Sequence, residues 1–266
     1  MNLISLTELS SADVRAIWRL VTTPSRLPSG TVAWSFEGNG IRTRSTFIQA
    51  FRALGLEFIE LPNFLKTEER VCDLAGYLDP LYDLYVIRES NHARLAEFAA
   101  ASRRPVINAM SSEGHPCEVL TDAYFIDTAL SPIEDVRICL WGPTTNIFRS
   151  WHELAKVLRL DVVQICDTHF HETKPNVTFL GSPDVKVDIV ITDGWPKGVD
   201  ALSLTQQQLV QMGSPRLLPT PPFTIGRELA FDPLAYEGFV GYQQKELLSL
   251  VQAAILRYVV QDSGTC

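Results

Sequence analysis

The sequence predicts an α/β protein made of two doubly wound parallel-sheet domains. Short apolar stretches alternate with longer amphipathic ones, the signature of βαβ units. The alternation breaks at Ser131-Pro132 and then restarts. A length of 266 residues suits two lobes of about 130 residues each.

In chain order, Ser10 or Ser11 caps a helix with Val14, Ile17, Trp18 and Val21 on one face, broken by Pro24, Pro28 and Gly30. A strand follows at 31–36, then a polar turn Glu37-Gly38-Asn39-Gly40. Next comes a helix over 42–54 with Phe47, Ala50, Phe51 and Leu54 as its stripe, stopped by Gly55. Strands at 58–61, 84–87 and 105–108 are interleaved with helices at 68–78, 92–102 and 116–130. Past the break, strands are expected at 136–141, 162–166, 188–192 and 216–218, with a helix at 147–158 and a closing helix at 243–258. The first domain is therefore read as 1–132 completed by 243–260, and the second as 133–242.

Composition removes several function classes. A formal net charge of −8 argues against a nucleic-acid partner, which requires a basic surface. No apolar run approaches the length of a membrane span. The opening MNLISLTELSSADVRAIW lacks the basic-then-apolar pattern of a secretory signal. Cys72, Cys117, Cys139, Cys166 and Cys266 are odd in number and unclustered, as in reduced thiols of a cytoplasmic protein.

Four loops at strand ends carry candidate chemistry. In Phe36-Glu37-Gly38-Asn39-Gly40-Ile41-Arg42-Thr43-Arg44 a strand end runs through glycines into a helix that opens with Arg-Thr-Arg. The segment is either an ordinary βα turn with surface arginines or an oxyanion site using free backbone N–H groups and guanidinium donors. Basic residues in a first turn oppose the helix dipole, which a nearby anion would offset. In NAMSSEGHPCEVLTD, His115 precedes Pro116 at a helix start. It could polarise a carbonyl oxygen, or cap and pack. Gly142-Pro143-Thr144-Thr145-Asn146 is a further strand-to-helix loop, and Asp193 in Thr192-Asp193-Gly194-Trp195 could hold an ammonium group or cap a turn. The Cys166-Asp167-Thr168-His169-Phe170-His171-Glu172 stretch has metal-type residues, and His169 and His171 would share a face if extended. No second ligand pair has zinc spacing, so no metal is expected. The dinucleotide, Walker and nucleophile-elbow motifs are missing.

In their order and spacing these motifs resemble the aspartate/ornithine carbamoyltransferase family. NLISLTELSSADVRAI is similar to the family's opening helix, FEGNGIRTRSTF to its phosphate loop FEKPSTRTRxSF, and HPCEVLTD to HPCQxLxD. GPTTNIFRSW stands at the Asn-Asn loop, and ITDGW resembles the TDVW of the ornithine branch. LLPTPP stands where HCLP is usual, and YQQKELLSLVQAAIL resembles the closing helix. The resemblance implies a transferase that moves a carbamoyl group from carbamoyl phosphate to the amine of a small, ornithine-like acceptor without a cofactor. It implies that Gly40, Ile41, Arg42, Thr43 and Glu118 line the phosphate and carbamoyl site. Thr43, Arg88 and His115 would surround the carbonyl oxygen, and Asn146, Asp193 and Leu218 would orient the acceptor. It further implies a homotrimer, with Lys66 near the segment that reaches a neighbouring subunit.

The departures are specific. Gly40 and Ile41 stand where the family has Ser and Thr, so two hydroxyl donors are missing, at about 1.5–3 kcal/mol each toward a charged group. Glu118 replaces a Gln beside the carbamoyl group, Arg216-Leu217 replaces His-Cys, and no Ser-Met-Gly follows Trp195. These changes keep two other readings open. One is transfer or binding of a different group, such as an amidino group paired with Glu118, with Gly40 leaving room for a bulkier ligand. The other is a catalytically silent homologue acting as a binding subunit.

Overall fold

The computed structural model describes residues 1–23 and 29–263. Pro24, Pro28 and Cys266 lie outside the described residues. The chain divides into two compact units, Met1–Tyr124 with Leu247–Cys266, and Phe125–Glu246.

The first unit opens with α1 (Ser11–Val21), where Ser10 proves to be the cap. Its hydroxyl accepts from the Asp13 N–H while the Asp13 carboxylate accepts from the Ser10 N–H, a closed capping box. The elements β1 (Thr31–Phe36), α2 (Ile41–Leu54), β2 (Glu57–Glu60), α3 (Val71–Leu78), β3 (Leu84–Arg88), α4 (His92–Ala101), β4 (Val106–Met110) and α5 (Pro116–Phe125) follow. The strands form one parallel sheet in the order β2-β1-β3-β4. The stripe Phe47, Ala50, Phe51 and Leu54 is the buried face of α2. Phe51 meets the edge of Trp34 from β1 at 6.1 Å between ring centroids. Tyr85, Ile87, Leu95, Phe98 and Val106 belong to a further buried cluster. Each such side chain contributes about 1.5–3 kcal/mol on burial, enough to hold strand ends in fixed register.

The second unit continues with β5 (Ile138–Trp141), α6 (Asn146–Leu158), β6 (Val162–Ile165), β7 (Val177–Leu180), β8 (Ile189–Thr192), α7 (Gln206–Gln211) and β9 (Arg216–Pro219). Its five parallel strands run in the order β7-β6-β5-β8-β9. Last comes α8 (Gly241–Ser263), which returns the chain to the first unit. There Tyr258 donates to the Asp13 carboxylate at 2.5 Å, and the Arg257 guanidinium donates to the Leu20 carbonyl at 3.0 Å.

Three local differences from the sequence reading have physical causes. The helix expected from residue 68 starts at Val71, because Arg94 donates to the carbonyls of Thr67 and Glu69 at 2.8 and 2.9 Å and keeps them out of a helical ladder. The helix expected to run to 130 changes to π-helix at Ile126–Leu130. Strand β7 and helix α7 went unread, since β7 is a half-exposed edge strand and α7 is short and largely glutamine. Among the described residues no helix is long and apolar enough to cross a membrane.

Candidate active site

Register decides what shares an edge in the first unit. Phe36 at the end of β1 pairs with Arg88 at the end of β3, and Arg88 pairs with Met110 at the end of β4. The loops leaving these strands therefore emerge along one carboxyl edge, where ligands of open parallel sheets bind. They carry residues 37–43, 88–91 and 111–118.

Gly40 precedes α2 with φ 40° and ψ 33°, in the left-handed region that glycine tolerates. A Cβ at this position would lie 3.3 Å from Arg88 Nη1 and 3.3 Å from Phe36 Cδ1. The side chain of Arg88 thus lies against the start of α2. This corrects the expectation that Gly40 leaves room for a bulkier ligand, because Arg88 takes the room. No side chain caps α2, and its first intrahelical bond runs from the Arg44 N–H to the Gly40 carbonyl at 2.8 Å. The N–H groups of Ile41, Arg42 and Thr43 are left without an intrahelical acceptor. Ile41 points to solvent at 68% exposure, whereas Thr43 is buried.

Arg42 is exposed and Arg88 half-buried, and among the described residues neither forms an ion pair with a carboxylate. Burial, and then the positive charge of Arg42, hold the Arg88 guanidinium below its ordinary range, with Glu37 acting in the opposite sense. Two cations that repel one another across an uncapped helix start have the chemistry to hold an anion. Arg44 does not join them. Its guanidinium pairs with Glu60 at 2.6 Å and lies 5.0 Å from the centre of the Trp34 ring.

His115 and Glu118 are both buried, at the entry and in the first turn of α5. Hydrogen bonds build the loop before them. Ser111 Oγ accepts from the Gly114 N–H at 3.2 Å and from Asn108 Nδ2 at 3.2 Å, and it meets His92 Nδ1 at 2.8 Å. The neighbouring Cys117 thiol is fully buried, and burial followed by the Glu118 charge pushes its pKa far up, so it is no nucleophile.

Lys66 turns inward on its own chain. Its ammonium reaches Glu89 Oε1 at 2.6 Å and Glu37 Oε1 at 3.1 Å. Sequence reasoning gave Glu37 and Glu89 no role, although Glu89 is a buried carboxylate immediately after Arg88. An acidic residue beside a strand-end arginine was the available signal.

In the second unit, Thr145 caps α6 by accepting from the Phe148 N–H at 3.3 Å, which places Asn146 at the first helical position. Gln164 Nε2 donates to the Gly142 carbonyl at 2.9 Å and to Thr144 Oγ1 at 3.3 Å. That fixes its Oε1 as the acceptor for His152 Nε2–H at 2.7 Å. Trp195 closes on the same loop, since a Cβ on Gly142 would lie 2.9 Å from its ring. Asp193 follows the end of β8 and is 7% exposed. Leu218 pairs with Ile191 and is 2% exposed, so its side chain is a packing element. His169 and His171 do not share an extended face, because Thr168–Phe170 is a 3₁₀ turn. Among the described residues no three His, Cys, Asp or Glu side chains are grouped as a metal site.

Residues 2–128 match the sequence model of the aspartate/ornithine carbamoyltransferase carbamoyl-P binding domain. The chain is 27% identical over 221 residues to the ornithine carbamoyltransferase of Nitrobacter winogradskyi, covering 73% of this chain and 72% of that protein. It is 35% identical over 133 residues to the ornithine carbamoyltransferase of Bradyrhizobium diazoefficiens, covering 49% of this chain but only 43% of that protein. The fold superimposes on the ornithine carbamoyltransferase of Pyrococcus furiosus with a TM-score of 0.90 at 22% identity, over 98% of this chain and 97% of that one. For the Burkholderia thailandensis enzyme the TM-score is 0.88 at 21% identity, over 97% and 98% of the two chains. At such identities the structural likeness speaks for the fold. By sequence, residues 2–128 resemble the carbamoyl-P binding domain of the aspartate/ornithine carbamoyltransferases, and over most of its length the chain is similar to ornithine carbamoyltransferases.

Proposed function

We propose that the protein transfers a carbamoyl group from carbamoyl phosphate to the amine of a small, ornithine-like acceptor. The observation that carries this reading is the pair Arg42 and Arg88, free of carboxylate ion pairs at the uncapped start of α2. The donor's phosphate would lie on the N–H groups of 41–43 and on Arg42. The amine lone pair attacks the carbamoyl carbon, and electrons move onto the carbonyl oxygen. Arg88, His115 and the Thr43 hydroxyl stabilise that charge. The bond from the carbon to the bridging oxygen then breaks, phosphate leaves with the electron pair, and the attacking nitrogen gives up a proton. Such a reaction is accelerated mainly by alignment and charge placement. Asn146, Asp193 and main chain near Leu218 are assigned to the acceptor, the Asp193 carboxylate suiting an ammonium group.

The reading extends to a homotrimer in the cytoplasm. Support comes from the family and from free thiols at Cys72, Cys117, Cys139 and Cys166. Light scattering of the purified chain checks the trimer.

The decisive assay follows phosphate and ureido-product formation from carbamoyl phosphate with ornithine and a panel of diamines and amino acids. Stoichiometric release of both with at least one amine is the expected result, lost in Arg42→Ala. A well-folded protein that consumes carbamoyl phosphate with none of them refutes the proposal.

A further inference from the structure

Lys66, Glu37 and Glu89 sit where the loops after β1 and β3 meet, beside the two arginines. Glu37 and Arg88 are immediate neighbours: the Glu37 N–H donates to the Arg88 carbonyl at 3.0 Å. An arginine and a glutamate so placed would ordinarily pair, yet here they do not. Both Glu37 oxygens are engaged elsewhere, Oε1 by Lys66 at 3.1 Å and Oε2 by the Ser90 N–H at 2.7 Å. Lys66 is itself held in place by Glu89, a 3% exposed carboxylate that also accepts from the Asn91 N–H at 2.9 Å.

We infer that Lys66 is a positioning residue of the anion site in its own chain, holding the Glu37 carboxylate away from Arg88 so that the Arg88 guanidinium stays open to a phosphate-bearing ligand. Charge bookkeeping agrees. Arg42, Arg88 and Lys66 outweigh Glu37 and Glu89 by one positive charge; without Lys66 the remaining four groups balance, and Glu37 becomes an internal competitor for the ligand's place. Glu37 is already close enough to act electrostatically on Arg88 in the fold. This inference rests on the reading of the β1–α2 edge as an anion site, and it assigns Lys66 a role within its own subunit.

Calorimetric titration with inorganic phosphate and with carbamoyl phosphate separates the two levels. Wild type binding both is expected; a wild type that binds neither overturns the anion site and this inference together. Given a binding wild type, Lys66→Met should weaken both ligands by roughly tenfold or more, the cost of one lost charge-assisted contact. The double variant Lys66→Met/Glu37→Gln should return affinity to within about threefold of wild type, since the competitor is gone. If Lys66 only braced the loops, the double variant would bind no better than Lys66→Met. That outcome, or unchanged binding in Lys66→Met, overturns the inference while leaving the anion site intact. Should Lys66→Met fail to fold, Glu37→Gln alone decides. Equal or tighter phosphate binding supports the inference, and weaker binding overturns it.

Discussion

The two units each send a strand through a glycine into a helix, and they finish that turn in opposite ways. After β1, Gly40 leaves α2 uncapped, and the side chain laid against it is the cationic Arg88. After β5, Thr145 caps α6, Gln164 satisfies the Gly142 carbonyl, and the side chain against the glycine is the apolar ring of Trp195. Loops of similar layout thus differ in whether their polar groups are already spent. The first leaves N–H donors and positive charge unspent among the described residues. The second spends its turn groups on its own chain.

Removing charge from the first loop should break that contrast most severely. Arg88→Ala is expected to lower kcat/KM for carbamoyl transfer by about 10²–10³, the effect of losing one donor to a developing oxyanion. Asp193→Asn should instead raise the acceptor KM and leave phosphate affinity unchanged in a calorimetric titration. Equal loss of phosphate affinity in both variants would erase the distinction between the units.

The self-sufficiency of the second loop is tested through Gln164→Leu. With the Gly142 carbonyl and the His152 N–H both unpaired, unfolding free energy should fall by about 2–4 kcal/mol in denaturant titrations. Phosphate affinity, a property of the first unit, should not move.

Helix starts sharpen the comparison further. Gly40→Ser restores a hydroxyl where the family has one, but forces a left-handed serine, at about 1–2 kcal/mol, against the Arg88 side chain. It should weaken phosphate binding, and tighter binding would contradict the fit between Gly40 and Arg88. Thr145→Ala should cost about 1 kcal/mol of stability for the lost cap and nothing in anion affinity.

The smallest effect concerns pH. Burial holds His152 below its ordinary value of 6.5, against the opposing pull of Gln164. The unfolded chain therefore takes up a proton that the folded chain resists, so this contribution to stability is complete above about pH 6.5 and declines as pH falls below it. Replacing His152 by Gln should flatten that part of the stability profile, as followed by thermal unfolding across pH.

Much of this was legible in the sequence because it depends on neighbours along the chain. Helical stripes such as Phe47, Ala50, Phe51 and Leu54, capping serines, and glycines at strand ends are local patterns, and local sterics enforce them. The loops holding Arg42, His115, Asn146 and Asp193 could be found the same way, since each follows an apolar strand. Edge strand β7 and the short α7 escaped because neither buries a strong periodic face.

By itself, then, the sequence determined the alternation of strands and helices and which loops carry cations, imidazole and carboxylate at strand ends. Only the tertiary structure decided the partners. It gave Arg44 to Glu60, set Arg88 against Gly40, and placed Lys66 between Glu37 and Glu89. The physical reason is that an ion pair has no period in sequence. Its formation is fixed by which strands lie side by side, and strand order is set by the packing of the whole sheet.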